Sequence, residues 1–191
     1  TKNVDRSKFS LTKIMNGSDP KGYNTLMSDV DEIAKQLKRL SDADVPVLFR
    51  PLHEASGGWF WWGADGSEAY KKLWQAIYNK LTNEYKLDNI IWVWNGQAAN
   101  WYPGDEYVDI IGEDIYPGTR DYSAQSSKYL EATDCSPNGK IVALTENGCL
   151  FDLDKAFETN TAWSYFGTWS GEFCISSSEK YTEKSMWQKV Y

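Results

Sequence analysis

Five short runs rich in β-branched, aliphatic and aromatic residues set the architecture: 45–51, 90–94, 108–111, 140–145 and 164–168. Runs this short, with little polar alternation, read as strands buried on both faces. Amphipathic stretches lie between them. Over 24–41, Leu26, Val30, Ile33, Leu37 and Leu40 recur at helical spacing. Over 67–86, Tyr70, Leu73, Trp74, Ile77 and Leu81 do the same, with Ser67 as the N-cap. Shorter helices are predicted at 121–132, near 152–160 and in the tail from 179. Residues 1–23 are polar, and Asp19-Pro20 and Lys21-Gly22 give them the look of a surface loop. Strands alternating with helices predict a parallel sheet with right-handed crossovers. With 191 residues, the chain is expected to be one domain spanning 1–191.

Each predicted strand delivers a polar or aromatic residue at its C-terminal end: Glu54, Asn95, Asp114 with Tyr116, Glu146, Trp169. Function collected on that one edge is the habit of the (β/α)8 barrel. A doubly wound sheet would carry a Gly-rich phosphate turn, which is missing here. A complete barrel takes eight strands and about 250 residues. The count of five therefore predicts a partial barrel.

Composition narrows the chemistry. The net charge of −7 argues against nucleic acid and anionic membrane as partners, and no apolar run approaches the length of a membrane span. A single histidine rules out a His-rich zinc site, and His53-Glu54 is not the start of a His-Glu-x-x-His motif because residue 57 is Gly. The chain carries 10 Trp, 12 Tyr and 7 Phe, several of the Trp beside Gly, Pro or Asn in loop-like contexts. Flat rings of this kind stack on sugar faces. Cleavage of a glycosidic bond with retention needs two carboxyl groups about 5–5.5 Å apart, one nucleophile and one acid/base. Glu54 and Glu146 sit three predicted strands apart, which in a ring of eight places them nearly opposite each other.

The residues Arg50-Pro51-Leu52-His53-Glu54, then Gly58-Trp59-Phe60-Trp61-Trp62-Gly63, then Thr145-Glu146-Asn147-Gly148 resemble glycoside hydrolase family 26. The resemblance covers the chain from about residue 20. It implies a (β/α)8 TIM barrel of which this chain supplies about strands 4–8, with the first three in a missing N-terminal segment. It also implies a retaining endo-acting hydrolase of β-1,4-mannan working by double displacement, with Glu54 as acid/base and Glu146 as nucleophile. Tyr116 matches the tyrosine that holds the nucleophile and Asp114 a carboxylate near the cleaved sugar. His53 matches the histidine before the acid, and Trp59 and Trp169 match aromatics of the central subsites. No metal or cofactor is implied, the partner is a polysaccharide, and the expected location is extracellular, the protein secreted. Relatives acting on mixed-linkage β-glucan or β-1,3-xylan remain alternatives, as does a silent carbohydrate-binding protein.

By strand order, Glu113 should point away from Asp114 on an extended backbone. Trp61, Trp62, Trp92 and Trp94 are open to a core reading. Cys149 and Cys174 follow neighbouring strands, so the expected disulfide joins them and leaves Cys135 free; two buried thiols are the alternative.

Overall fold

The computed structural model describes residues 9–174 and 178–191. Contacts divide the chain into two units, Thr1–Asp109 and Ile110–Tyr191.

In the first unit the described part of the expected loop, 9–23, is largely helical; residues 1–8 lie outside the described ones. Helix α1 (Leu11–Met15) starts at Ser10, whose hydroxyl oxygen accepts from the Lys13 N–H. The same hydroxyl donates to Asp65 at 2.8 Å, and Asp65 also accepts the Thr12 N–H at 2.9 Å. Helix α2 (Pro20–Ser41) begins four residues before the periodic stretch. The Asp19-Pro20 pair that reads as a turn is a helix start: Asp19 caps the Gly22 N–H at 2.8 Å, and Pro20 occupies the first helical position. The buried stripe of α2 is Met27, Val30, Ala34 and Leu37, while Ile33 and Leu40 stay exposed. The stripe is rotated from the predicted one because α1 and the segment after α3 pack on that side.

Strand β1 (Val47–Phe49) and strand β2 (Ile90–Trp94) pair in parallel, with Val47 opposite Ile90 and Phe49 opposite Trp92. Between them runs α3 (Ser67–Tyr78), its cap at Gly66 rather than Ser67, continued by a π-helical turn over Asn79–Glu84. Tyr70, Leu73, Trp74, Ile77 and Leu81 are all buried, as the periodicity predicts. Trp92 packs edge-on to Phe49 and Trp74, so Trp92 and Trp94 belong to the core. After β2 come two short 3-10 turns, Ala99–Trp101 and Asp105–Tyr107, and Asp109 then caps the Trp92 N–H at 2.8 Å.

In the second unit β3 (Ile110–Ile115), β4 (Ile141–Asn147) and β5 (Phe166–Thr168) form parallel neighbours in that order. β3 runs four residues beyond the predicted end at 111, carrying Glu113 and Asp114 within the ladder. The ladder continues through this polar pair, with Glu113 opposite Leu144 and Asp114 opposite Glu146. Helix α4 (Ser126–Thr133) packs on β3 and β4. A cluster of Ala124, Leu144, Phe151 and Ala156, joined by Ile115, Trp163 and Phe166, fills the space beneath α5 (Leu153–Glu158). Helix α6 (Lys184–Val190) closes the tail, with Tyr191 edge-on to Phe166. No helix among the described residues is long and apolar enough to cross a membrane.

Candidate functional site

The first unit contributes the turn that follows β1. Leu52 (φ 56°) and Glu54 (φ 51°) both adopt left-handed backbone without being Gly, at about 1–2 kcal/mol each. Such strain survives only where the surroundings enforce it. Here the Glu54 N–H donates to Asn95 O at 2.8 Å and the Ser56 N–H to Gly96 O at 3.1 Å, carrying the β1–β2 ladder around the bend. The Trp62 indole N–H donates to His53 O at 2.8 Å. Arg50 donates to the side-chain oxygen of the fully buried Asn95 at 2.8 Å, and the Asn95 amide donates to Gln97 at 3.2 Å. Glu54 is thereby fixed by its backbone, one residue beyond His53, whose ring packs on Phe60 and Trp62.

Trp59 lies in the same turn. Its indole covers Gly57 so closely that it fills the space a Cβ there would need. Glycine at 57 is therefore what lets the ring lie flat, and the ring stays 43% exposed. Phe60 and Trp62 stack on each other 4.4 Å apart, and Trp61 meets Phe9 and Trp62 edge-on. Three of the sequence-predicted residues, His53, Glu54 and Trp59, thus share one turn.

The second unit brings together Asp114, Tyr116 and Glu146. The Tyr116 hydroxyl donates to Glu146 Oε2 at 2.6 Å, a length typical of a charge-assisted bond. The Tyr116 ring is set edge-on to Phe173 and lies against Gly148. Glu146 is only 5% exposed. Asp114 Oδ1 accepts the Thr145 hydroxyl at 2.6 Å. Trp169 donates its backbone N–H to Asn147 O at 2.9 Å and leaves its side chain 46% exposed. Buried polar groups with such partners, beside half-exposed rings, suit a ligand with hydroxyls and apolar faces.

Glu113 points the other way, as extended backbone predicts. It is 6% exposed on the α4 side, and its carboxyl pKa is pushed up to about 7, chiefly by burial, with Lys128 pulling down and Asp114 and Glu131 pushing up.

Asn95, one of the strand-end residues singled out in the sequence, braces the turn with its backbone and its side chain. Thr145 escaped the sequence reading as a contributor, and no signal marked it. The expected Cys149–Cys174 disulfide is not formed, and all three cysteines are free. The Cys149 thiol donates to Tyr181 O at 3.0 Å and the Cys174 thiol to Trp169 O at 2.8 Å. Neighbouring loops are therefore not enough; each side chain turns to a backbone carbonyl instead.

Comparison with known proteins places this arrangement. The family model described as glycosyl hydrolase family 26 matches residues 2–191. A mannan endo-1,4-beta-mannosidase of Thermothelomyces thermophilus is 42% identical over 178 residues, covering 92% of this chain and 36% of that protein. Mannan endo-1,4-beta-mannosidase B of a Piromyces species is 38% identical over 82% of this chain and 27% of its own length. Among solved structures, a GH26-CBM35 β-(1,4)-mannanase of Podospora anserina superposes with a TM-score of 0.90 at 38% identity, covering all of this chain and 41% of the other. A β-mannanase from a protist symbiont of the termite Reticulitermes speratus, complexed with gluco-manno-oligosaccharide, gives 0.88 at 34% identity, covering 58% of that chain. The chain thus spans about a third of the length of the curated relatives it matches. Its parallel strands and helices are part of a (β/α)8 barrel, and the chain belongs to glycosyl hydrolase family 26.

Proposed function

We propose that these residues carry the catalytic centre of a secreted, retaining endo-β-1,4-mannanase, with Glu146 as nucleophile and Glu54 as acid/base. The observation that carries the reading is the Tyr116 hydroxyl held at 2.6 Å on the buried Glu146 carboxylate. A donor so placed fixes the carboxylate in one pose. The names of the relatives, mannan endo-1,4-beta-mannosidases, support mannan as the polymer.

Glu146 attacks the anomeric carbon of a mannosyl unit while Glu54 gives its proton to the departing glycosidic oxygen. The sugar is left esterified to Glu146. Glu54, now ionised, takes a proton from water, whose oxygen displaces Glu146 and restores the original configuration. Asp114 and His53 hold hydroxyls of the sugar at the cleaved bond, and Trp59 and Trp169 stack on its neighbours. A polymer of this kind is met outside the cell, which is where we place the protein.

The test is hydrolysis of soluble mannan by the whole protein, with mixed-linkage glucan and β-1,3-xylan in parallel and the first-formed reducing end read by NMR. Retained configuration on mannan is expected. Glu146→Gln should abolish turnover on every substrate. Glu54→Gln should cost about 10²–10⁴-fold on mannan but far less on aryl glycosides with good leaving groups. An inverted product, or equal losses for Glu54→Gln on good and poor leaving groups, would overturn the assignment.

A further inference from the structure

Strict alternation along β4 would put Glu146 on the same face as Leu144, two residues earlier. Leu144 packs into the apolar cluster with Ala124, Phe151 and Ala156. A carboxylate delivered there would be buried without partners, at a cost of several kcal/mol. Glu146 is instead bonded to Tyr116.

The register explains how. Against β3, Glu113 stands opposite Leu144, but the next residue, Asp114, stands opposite Glu146. Against β5, Leu144 faces Phe166 and Asn147 faces Thr168, so three steps on β4 match two on its neighbour. Both flanking strands count one residue fewer than β4 between Leu144 and Asn147. This is a β-bulge, which shifts every later side chain to the other face. On β5 the residue at that level is Gly167, where an added Cβ would stand 3.1 Å from Thr145 O. A side chain there would press on the bulge.

Thr145 does more than occupy the extra place. Its hydroxyl reaches Asp114 Oδ1 at 2.6 Å and Glu113 O at 3.1 Å. A hydroxyl has one proton, and the shorter, charge-assisted contact takes it. The same residue thus re-aims Glu146 and ties down Asp114.

We propose that Thr145 is a positioning residue of the site, the bulge residue that turns Glu146 onto the face of Asp114 and whose hydroxyl fixes the Asp114 carboxylate. This rests on the reading of Glu146 as nucleophile and Asp114 as a substrate-binding group.

The test uses Thr145→Val, which keeps the shape and removes the donor, and Thr145→Ser, which keeps the donor. On the whole protein with soluble mannan, Thr145→Val should lose about 10²-fold in kcat/KM, the scale of a misplacement near 1 Å, with its melting temperature little changed. Thr145→Ser should stay near the parent. In an Asp114→Asn background the further loss from Thr145→Val should largely vanish, because the hydroxyl acts through that carboxylate. Full activity in Thr145→Val, equal losses for Val and Ser, or losses that multiply in the double variant would each overturn the proposal. If Thr145→Val does not fold, Gly167→Ala decides: it should lower kcat/KM, and parent activity there would overturn the bulge's role. Glu146→Gln serves as the control. Should it remain active, the reading of the nucleophile fails; should it be dead while Thr145→Val is fully active, only the present inference fails.

Discussion

Glu113→Gln should stabilise the protein at neutral and alkaline pH, because the native fold keeps this carboxyl where its charge is unwelcome. Glu113 lies on the α4 side of β3, with its pKa raised from 4.5 to about 7 mainly by loss of water. Lys128 helps only in part, since its ammonium is bonded to Glu131 at 2.5 Å. Between pH 4.5 and 7 the native state therefore binds a proton that the unfolded state has released, so stability falls as pH rises through that window. A shift of about 2.5 units corresponds to about 3 kcal/mol lost by pH 8. Glutamine has the same shape and no charge to desolvate, so the variant keeps what the parent loses. Urea unfolding of parent and variant at several pH values reads this directly. The two curves should meet near pH 4 and separate by up to about 3 kcal/mol at pH 8, with mannan hydrolysis unaltered because the side chain faces away from Asp114. Parallel curves, or a variant less stable than the parent at pH 8, would show that Glu113 is not a desolvated carboxyl.

Tyr116→Phe keeps the ring against Phe173 and Gly148 but removes the hydroxyl bond to Glu146. A hydrogen bond to a charged group is worth about 1.5–3 kcal/mol, so kcat/KM on mannan should fall about 10- to 100-fold with little change in melting temperature. Thiol titration in denaturant without reductant should find three groups, since all three cysteines are free; a count of one would restore the disulfide. In the folded protein at pH 8, Cys135 should react slowly, because burial pushes its pKa up to about 11.

The edge that carries the carboxylates was legible in the chain. An apolar run followed by a carboxylate says which end of the strand that carboxylate lies at, as for Glu54 and Glu146, although β1 already stops at Phe49 and β4 runs on through Asn147. The buried face of α3 was equally plain, because Tyr70, Trp74 and Ile77 leave no other face apolar. In α2 two apolar stripes compete, one through Leu26, Ile33 and Leu40 and one through Met27, Val30 and Ala34. The choice between them belongs to α1, which the polar composition of 1–23 concealed, and to the turn after α3. Local sequence specifies that a helix is amphipathic; its neighbours specify the angle.

What stayed illegible is the aim of the side chains. Nothing in Arg-Pro-Leu-His-Glu asks for left-handed backbone at Leu52 and Glu54, since no glycine marks either position. The bend is imposed from outside, by the carbonyls of Asn95 and Gly96 and by the Trp62 indole on His53. The bulge at Thr145 is similar: alternation read along β4 alone sends Glu146 into the apolar layer, and only the shorter count on β3 and β5 reverses it. In both places the catalytic candidate is delivered by a departure from regular structure that neighbouring strands enforce. The residues that enforce it, Asn95, Gly96 and Gly167, carry no chemistry of their own. A substitution at Gly167, where an added Cβ would stand 3.1 Å from Thr145 O, should therefore act on the reaction before it acts on the fold. Asn95, by contrast, is fully buried and a side chain at Gly96 would meet the core indole of Trp94, so changes there disturb both.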